Sequence, residues 1–196
     1  KKSVMELGGS DAFVVLDDAD LDKTVAAAVK SRFDNSGQTC IAAKRFIVVE
    51  AVAEEFTRRF VEAAGERQYG DPDVRGTTLA PMARADLREE LHKQVQASVA
   101  KGARVLIGGE PIAGTHAGYP ATVLDQVGPG MPAYDEELFG PVAAIIRVKD
   151  EAEVMPHVVG GLQFIRMSWT ECWWILTRAT PTTRWTVAYP YPGRGR

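Results

Sequence analysis

The sequence predicts an α/β fold, built on an open, largely parallel sheet with flanking helices. Short apolar segments of strand length alternate with longer segments whose apolar residues recur every four positions, from residue 12 to residue 148. Parallel strands need a crossover connection, which is commonly a helix, so this order favours parallel pairs. With 45% hydrophobic and 25% charged residues, the 196-residue chain also has the composition of an ordinary globular protein.

The first strand and helix are predicted from residues 12–33. The apolar run AFVVL at 12–16 has the length of a buried strand, and the DDADLDK that follows supplies N-caps and acidic first-turn residues for a helix. The apolar face of that helix is formed by Leu21, Val25, Val29 and Phe33. Asn35-Ser36-Gly37 then predicts a loop.

The same order repeats further along the chain. RFIVVE at 45–50 predicts a strand and residues 52–67 predict a helix, after which GDPDVRGTTLAP is a turn-rich connection. A helix is predicted over 84–101, ending at Gly102. Its apolar face would consist of Leu87, Leu91, Val95 and Val99. Further strands are predicted at 103–107, 119–125 and 141–148.

The composition changes near residue 153. Residues 1–153 carry 18 Lys+Arg against 25 Asp+Glu, whereas residues 154–196 carry five Arg, one Glu and neither Lys nor Asp. All four Trp lie in the second part, where neither the helical nor the strand period persists. We therefore predict a divergent tail at 154–196 and hypothesise that part of it is a frame-shifted translation.

Charge and cysteine content argue against several classes of protein. A net charge of -3 gives no sign of a nucleic-acid partner, and no apolar run approaches the roughly 18 residues of a membrane span. Two cysteines far apart in sequence suggest neither a disulfide framework nor a zinc site. We expect a cytoplasmic protein without a metal. Because the sequence does not begin with Met, we also expect it to start inside a longer protein.

Cys40, within NSGQTCIAAKR at 35–45, has two interpretations. A nucleophilic cysteine needs a lowered thiolate pKa, a general base and donors for an oxyanion. Gly37 would let a substrate approach the backbone, the Cys40 N–H is one such donor, and Lys44 and Arg45 are cationic neighbours in sequence. The alternative is an inert packing residue, since free cysteine is among the most buried residue types. The local sequence alone favours packing.

Two acidic motifs are further candidates. Glu6, in MELGGS, lies between apolar residues and a glycine pair, where a pocket would raise its pKa and make it a base. EELFGP at 136–141 places carboxylates beside Phe139, which suits ribose hydroxyls and a nicotinamide ring. Taken singly, each motif is better explained as a solvated turn. The histidines lack metal-ligand spacing, and His92, among the charges of its helix, is expected to be solvated.

The order of these motifs resembles the aldehyde dehydrogenase superfamily. ELGG at 6–9, GQTC at 37–40 and EELFGPV at 136–142 occur in the order and spacing of that family, with Cys40 34 residues after Glu6. The resemblance covers residues 1–153 and is closest to the succinate-semialdehyde dehydrogenase branch. It implies the C-terminal, catalytic half of such an enzyme. Residues 1–9 would end the cofactor-binding domain, residues 10–153 would form the catalytic domain, and the fold would be incomplete at both ends.

The resemblance also implies roles for individual residues. Cys40 matches the nucleophile that attacks the aldehyde, its N–H matches half of the oxyanion hole, and Glu6 matches the base that activates water for deacylation. The cofactor is then NAD or NADP, the substrate a small aldehyde, and the intact enzyme a homodimer or homotetramer. The cofactor-binding positions are Glu137 for the nicotinamide ribose, Phe139 beside the ring, and the backbone neighbours Leu7 and Gly8.

Departures from the family pattern leave alternatives open. The Gly-rich turn and adenosine site of the family have no counterpart in the sequence, so an incomplete, non-catalytic product or an assembly module remains an alternative, as does a thiol-dependent esterase. Many semialdehyde enzymes have an Arg six residues before the cysteine to bind the substrate carboxylate. This sequence has Asp34 there, and Arg32 is expected to point elsewhere from its helix.

Overall fold

The computed structural model describes residues 9–160 and 174–176 and confirms the predicted α/β fold. Six strands form one sheet in the order β3-β4-β5-β2-β1-β6. Their bounds are β1 Asp11–Val15, β2 Ala43–Val49, β3 Arg104–Ile107, β4 Thr122–Asp125, β5 Val142–Val148 and β6 Trp174–Leu176. Every neighbouring pair is parallel except β3 and β4, so the sheet is largely parallel, as the sequence predicts.

Five α-helices accompany these strands in the described residues. They are α1 Leu21–Phe33, α2 Glu50–Gly65, α3 Ala85–Ala100, the single turn α4 Pro132–Asp135, and α5 Glu151–Gly160. The N-terminus of α1 is capped by Asp20, which accepts a hydrogen bond from the Lys23 backbone N–H at 3.3 Å, as the acidic segment before it predicts.

Alternate residues of the central strands face opposite sides of the sheet, and each side has its own core. Phe46 and Val48 of β2 belong to one cluster, whereas Ile47 and Val49 belong to the other. This follows from the two-residue period of a strand. Because both sides are covered, all seven residues of β2 are buried, including the two cations at its start.

Different helices cover the two sides of the sheet. Helices α1 and α2 contribute Phe33, Phe56 and Phe60 to the first cluster, and the rings of Phe46 and Phe60 lie 4.9 Å apart. Helices α3 and α5 contribute Leu91 and Val154, among others, to the second. The sheet is therefore packed between two apolar layers, and it holds the loops at the strand ends in place.

The apolar face predicted for α3 is wrong at its last residue. Leu91 and Val95 are buried, but Val99 is 40% exposed and Ser98 is buried instead. Each step of four residues rotates a position by about 40° around a helix of 3.6 residues per turn, so the fourth member of the series has left the buried face. Gly102 follows the helix with φ of +110°, in agreement with the predicted end.

The composition break near residue 153 falls inside an element. Helix α5 begins at Glu151 and continues to Gly160, with Pro156 in its interior. Strand β6 lies further along and pairs in parallel with β1, Phe13 opposite Trp174. The rest of the predicted tail, 161–173 and 177–196, lies outside the described residues, and so do the hypotheses that concern it.

Candidate active site

Cys40 lies in the connection between α1 and β2, at the carboxyl end of the helix. Three residues before it, Asn35, Ser36 and Gly37, have positive φ values of 52°, 54° and 72°. A side chain at Gly37 would clash with the Gly140 carbonyl and the Arg32 guanidinium, so only glycine fits there. The chain reverses tightly and brings segment 136–141 against the loop.

Side chains of the loop fasten it to a second segment, around residue 80. Ser36 Oγ donates to the Ala80 carbonyl at 2.7 Å and accepts from the Ala80 N–H at 3.0 Å. Gln38 Oε1 accepts from the Ala83 N–H at 2.8 Å. These bonds satisfy loop polar groups and hold the backbone that leads into Cys40.

Cys40 itself is exposed, which contradicts the packing interpretation. It sits in a turn closed by the Ala42 N–H, which donates to the Thr39 carbonyl at 3.1 Å. Within the described residues, the Cys40 backbone N–H donates to no acceptor. The thiol is therefore accessible, and the N–H is available to bind an oxygen of a ligand.

Lys44 lies beneath this turn, with a side chain that is 0% exposed. Its Nζ donates to the Cys40 carbonyl at 2.7 Å and to the Thr39 carbonyl at 3.3 Å. Glu137 Oε1 lies 3.1 Å from the same Nζ as an ion pair. Burial lowers the pKa of Lys44, and the charge of Glu137 opposes that shift. One ammonium thus contacts both the cysteine turn and the acidic segment.

Glu137 and Phe139 are only partly covered. The Glu137 side chain keeps 23% of its surface exposed although its Oε1 is buried against Lys44, and Phe139 is 39% exposed. Gln94 Nε2 donates to the Glu137 carbonyl at 3.3 Å and to Glu136 Oε2 at 2.8 Å, which fixes the segment to α3. An acceptor and an aromatic surface therefore remain accessible on the segment that packs against the Cys40 loop.

Arg32 points inward from α1 and is fully buried. Its Nη2 donates to the Gly37 carbonyl at 2.6 Å, and within the described residues Nε and Nη1 have no hydrogen-bond partner. Burial lowers the pKa of Arg32 to about 9, and the charge of Glu137 opposes the shift. Asp34, by contrast, is exposed and pairs with Lys30 at 2.9 Å.

The sequence did not indicate the buried cluster of Arg32, Lys44 and Glu137. A partial signal for Lys44 was present, because Lys44 directly precedes the strand predicted at 45–50, and a cation within a strand that is covered on both sides would be buried. For Arg32 the signal was weaker. Thr24, Val25, Ala28 and Phe33 show that its helix face is buried, but the partner loop is fixed only by the backbone conformation at 35–37.

Three predicted site residues, Glu6, Leu7 and Gly8, lie outside the described residues. Their predicted roles as base and as backbone neighbours of the nicotinamide therefore stay predictions. Residues 9–160 contain no group of three or more His, Cys, Asp or Glu side chains that could hold a metal ion. None of the helices there combines the length and the apolar character needed to cross a bilayer.

His92 corrects a further expectation. Its Nδ1 lies 3.2 Å from the Tyr119 hydroxyl, its side chain is only 12% exposed, and Glu110 Oε2 lies 3.6 Å from its other nitrogen. The residue is thus half-buried rather than solvated, because the connection between β3 and β4 folds onto α3. A partner so far away in sequence gives no local signal.

Sequence comparison identifies relatives of the chain. The sequence model described as aldehyde dehydrogenase family matches residues 1–158. The NAD(P)+ succinate semialdehyde dehydrogenase Sad of Escherichia coli strain K12 is 57% identical over 150 residues, 76% of this chain and 32% of that protein. A probable NADP+ succinate-semialdehyde dehydrogenase of Synechocystis is 47% identical over 143 residues, 73% of this chain and 32% of that protein.

Solved structures agree in fold. A succinate-semialdehyde dehydrogenase from Burkholderia pseudomallei superposes with a TM-score of 0.75 at 36% identity, over 78% of this chain and 32% of that one. A lactaldehyde dehydrogenase from Escherichia coli gives a TM-score of 0.76 at 36% identity, again over 78% and 32%. The chain spans about a third of the length of the curated relatives it matches. The sequence had led us to expect half of such an enzyme, which is more than this share.

Proposed function

The chain belongs to the aldehyde dehydrogenase family, and from that premise we propose that it supplies the nucleophile and part of the nicotinamide-ribose site for NAD(P)-dependent oxidation of a small aldehyde to its acid. The observation that carries the proposal is the juxtaposition at Lys44. One buried ammonium contacts the backbone of an exposed cysteine and a partly exposed carboxylate. Residues 10–153 are proposed to form most of a catalytic domain.

Cys40 performs the bond-making steps in this proposal. Its thiolate attacks the aldehyde carbon, and the Cys40 N–H donates to the oxygen that becomes negative in the resulting thiohemiacetal. Loss of a hydride from that carbon leaves a thioester on the sulfur. Water then adds to the thioester, releases the carboxylic acid and restores the thiol. Glu6 is proposed to accept the proton from this water.

The described residues fit a bound dinucleotide at the nicotinamide end. Glu137 retains an accessible carboxylate surface, which suits the hydroxyls of a ribose, and Phe139 offers an exposed ring two residues further along. When bound, NAD or NADP accepts the hydride. Leu7 and Gly8 complete this end of the site in the proposal, and no metal takes part.

Succinate semialdehyde is the proposed substrate because the relatives named above carry that activity in their names. Neither Arg32 nor Asp34, the two charged residues considered before the cysteine loop, is placed to bind a substrate carboxylate. Arg32 is buried beneath Gly37, and Asp34 faces Lys30 on the surface. A different cation is therefore proposed to bind the distal carboxylate. Cytoplasmic location and homo-oligomeric assembly of the intact enzyme complete the proposal.

Protection of Cys40 from alkylation tests this function without depending on turnover. Iodoacetamide labelling of the full chain would be followed by peptide mass spectrometry, with and without succinate semialdehyde. Reversible thiohemiacetal formation should slow labelling of Cys40, while succinate, which has no aldehyde, should not. Equal labelling rates with and without the aldehyde would overturn the proposed nucleophile. Propanal in place of the semialdehyde tests the substrate class, because a distal carboxylate should improve protection.

A non-catalytic assembly module is the second candidate. It predicts no aldehyde protection at Cys40 and no reduced cofactor from succinate semialdehyde with either NAD or NADP. A thiol esterase makes a different prediction, because ester hydrolysis needs no hydride acceptor. Turnover of an activated ester by the chain, lost in Cys40→Ala, would favour it.

A further inference from the structure

The Lys44 ammonium contacts the cysteine turn and the acidic segment at the same time. A lysine ammonium has three N–H donors. Within residues 9–160, Nζ donates to the carbonyls of Thr39 and Cys40 and lies 3.1 Å from Glu137 Oε1 in an ion pair. The first two belong to the cysteine turn, and the third belongs to a segment nearly a hundred residues later in the chain.

The strand that carries Lys44 is held by hydrogen bonds on both sides. Residues Ala43–Val49 are buried throughout and hydrogen-bonded to strands on both sides, with Arg45 opposite Ala144 and Val48 opposite Val15. A displacement of the Glu137 carboxylate is thus not absorbed by the strand. It changes how the ammonium divides its bonds between the carboxylate and the turn, and so it acts on the peptide that follows Cys40.

Other charged side chains also act on the Lys44 ammonium. Arg32 from α1 lies close enough to disfavour a second cation, while Glu137 and, on β1, Asp11 favour it. Buried charges interact more strongly than exposed ones because less water screens them. Removing the negative partner therefore changes how the Lys44 ammonium interacts with the turn.

We propose that Lys44 is a positioning residue that couples the charge and position of the Glu137 carboxylate to the orientation of the Cys40 turn and to the reactivity of its thiol. The inference deepens the proposed function and rests on it in one respect: it assigns Glu137 to the cofactor ribose. Binding of the ribose to Glu137 would then change the reactivity of Cys40 through the Lys44 side chain. The physical link from Glu137 to Cys40 can be tested without cofactor and without turnover.

A double-mutant cycle on the Cys40 alkylation rate tests the link. The variants are Glu137→Gln, Lys44→Met and the pair together, each in the full chain without cofactor. In the wild-type background, Glu137→Gln should raise the rate about threefold or more, since the Lys44 ammonium then loses its carboxylate partner and acts on the Cys40 turn alone, which favours the thiolate. In the Lys44→Met background the same change should have little effect.

A matched control is available next to Glu137. Glu136 also loses a negative charge in Glu136→Gln, but it contacts Gln94 and not Lys44. Its rate should equal that of the wild type. Two results would overturn the proposal: Glu137→Gln changing the Cys40 rate equally in both backgrounds, or Glu136→Gln and Glu137→Gln changing it equally. Either would show that the carboxylate charge acts on Cys40 directly through space and not through Lys44.

Folding failure does not remove the test. Circular dichroism and urea unfolding would first establish that each variant is folded. If Lys44→Met is not, Glu137→Gln and Glu136→Gln still decide the matter, because Glu137 is partly exposed and its replacement is isosteric. An unchanged Cys40 rate in Glu137→Gln overturns the link. Failure of aldehyde protection would instead overturn the proposed function and leave this result standing, so the two outcomes are distinguishable.

Discussion

Two neighbouring residues of β2 carry buried cations that do different things. Lys44 faces the cysteine turn and binds two loop carbonyls and Glu137. Arg45 faces the other way, donating to the Ser10 carbonyl at 2.8 and 3.0 Å and to the carbonyl of His157 at 2.5 Å. The two-residue period of the strand separates them. The contrast teaches that one buried charge serves the candidate site and the next one serves the fold.

Arg45→Met should have the largest effect on stability. The guanidinium joins the residue before β1 to the end of α5, and hydrogen bonds from a charged donor are stronger than neutral ones. Its loss removes the charged donor from carbonyls at three positions, two of them buried, so we expect a decrease of about 3 kcal/mol or more in the free energy of unfolding. Urea denaturation measures it. A decrease under about 1 kcal/mol would mean that water replaces the guanidinium and would weaken the contrast.

Lys44→Met should have a smaller effect on stability and a larger one on chemistry. The partners of Lys44 are an exposed turn and a partly exposed carboxylate, which water can solvate after the change. We expect a loss of about 1 kcal/mol in unfolding free energy, together with slower alkylation of Cys40. The same urea series and the labelling rate check both. A loss as large as that of Arg45→Met would erase the distinction between the two cations.

The pH dependence of stability should report on Lys44. Burial lowers the pKa of Lys44 in the folded chain, while the unfolded chain has the ordinary lysine value of about 10.4. Between those values the unfolded chain binds the proton that the folded chain has released, so this residue makes stability rise with pH there. Unfolding free energies of wild type and Lys44→Met across this alkaline window should therefore diverge in favour of the wild type. Parallel curves would contradict the assigned shift.

Phe139→Ala should have the smallest effect on the fold. Its ring is 39% exposed and belongs to neither core cluster, so we expect a change within about 0.5 kcal/mol in unfolding free energy. Cys40 alkylation without cofactor should also stay at the wild-type rate. A clear destabilisation would place Phe139 with the fold rather than with the cofactor surface.

The sequence predicted the elements well because their patterns are local. A strand such as 45–50 and a helix such as 52–67 are each specified by the spacing of their own apolar residues, and both appear within two residues of the expected bounds. Val99 was misplaced because a four-residue spacing drifts around the helix. His92 was misplaced because its partner, Tyr119, comes from a distant connection.

The candidate site was only partly predictable for the same reason. The motifs around Cys40 and Glu137 were visible in the sequence, and so were Lys44 and Arg45 as cations. Their opposite roles depend on which face of β2 each occupies, and on the strand beginning at Ala43 rather than Arg45. The contact between Lys44 and Glu137 spans 93 residues, and tertiary structure alone creates it.

Covalent capture of an acyl group tests the nucleophile most directly. The full chain would be treated with an activated acetate ester, and its peptides analysed by mass spectrometry, in parallel with Cys40→Ala. The account predicts an acetyl adduct on Cys40 far in excess of that on Cys172, and its absence in the variant. Equal acetylation of the two cysteines, or an adduct level unaffected by Cys40→Ala, would contradict it.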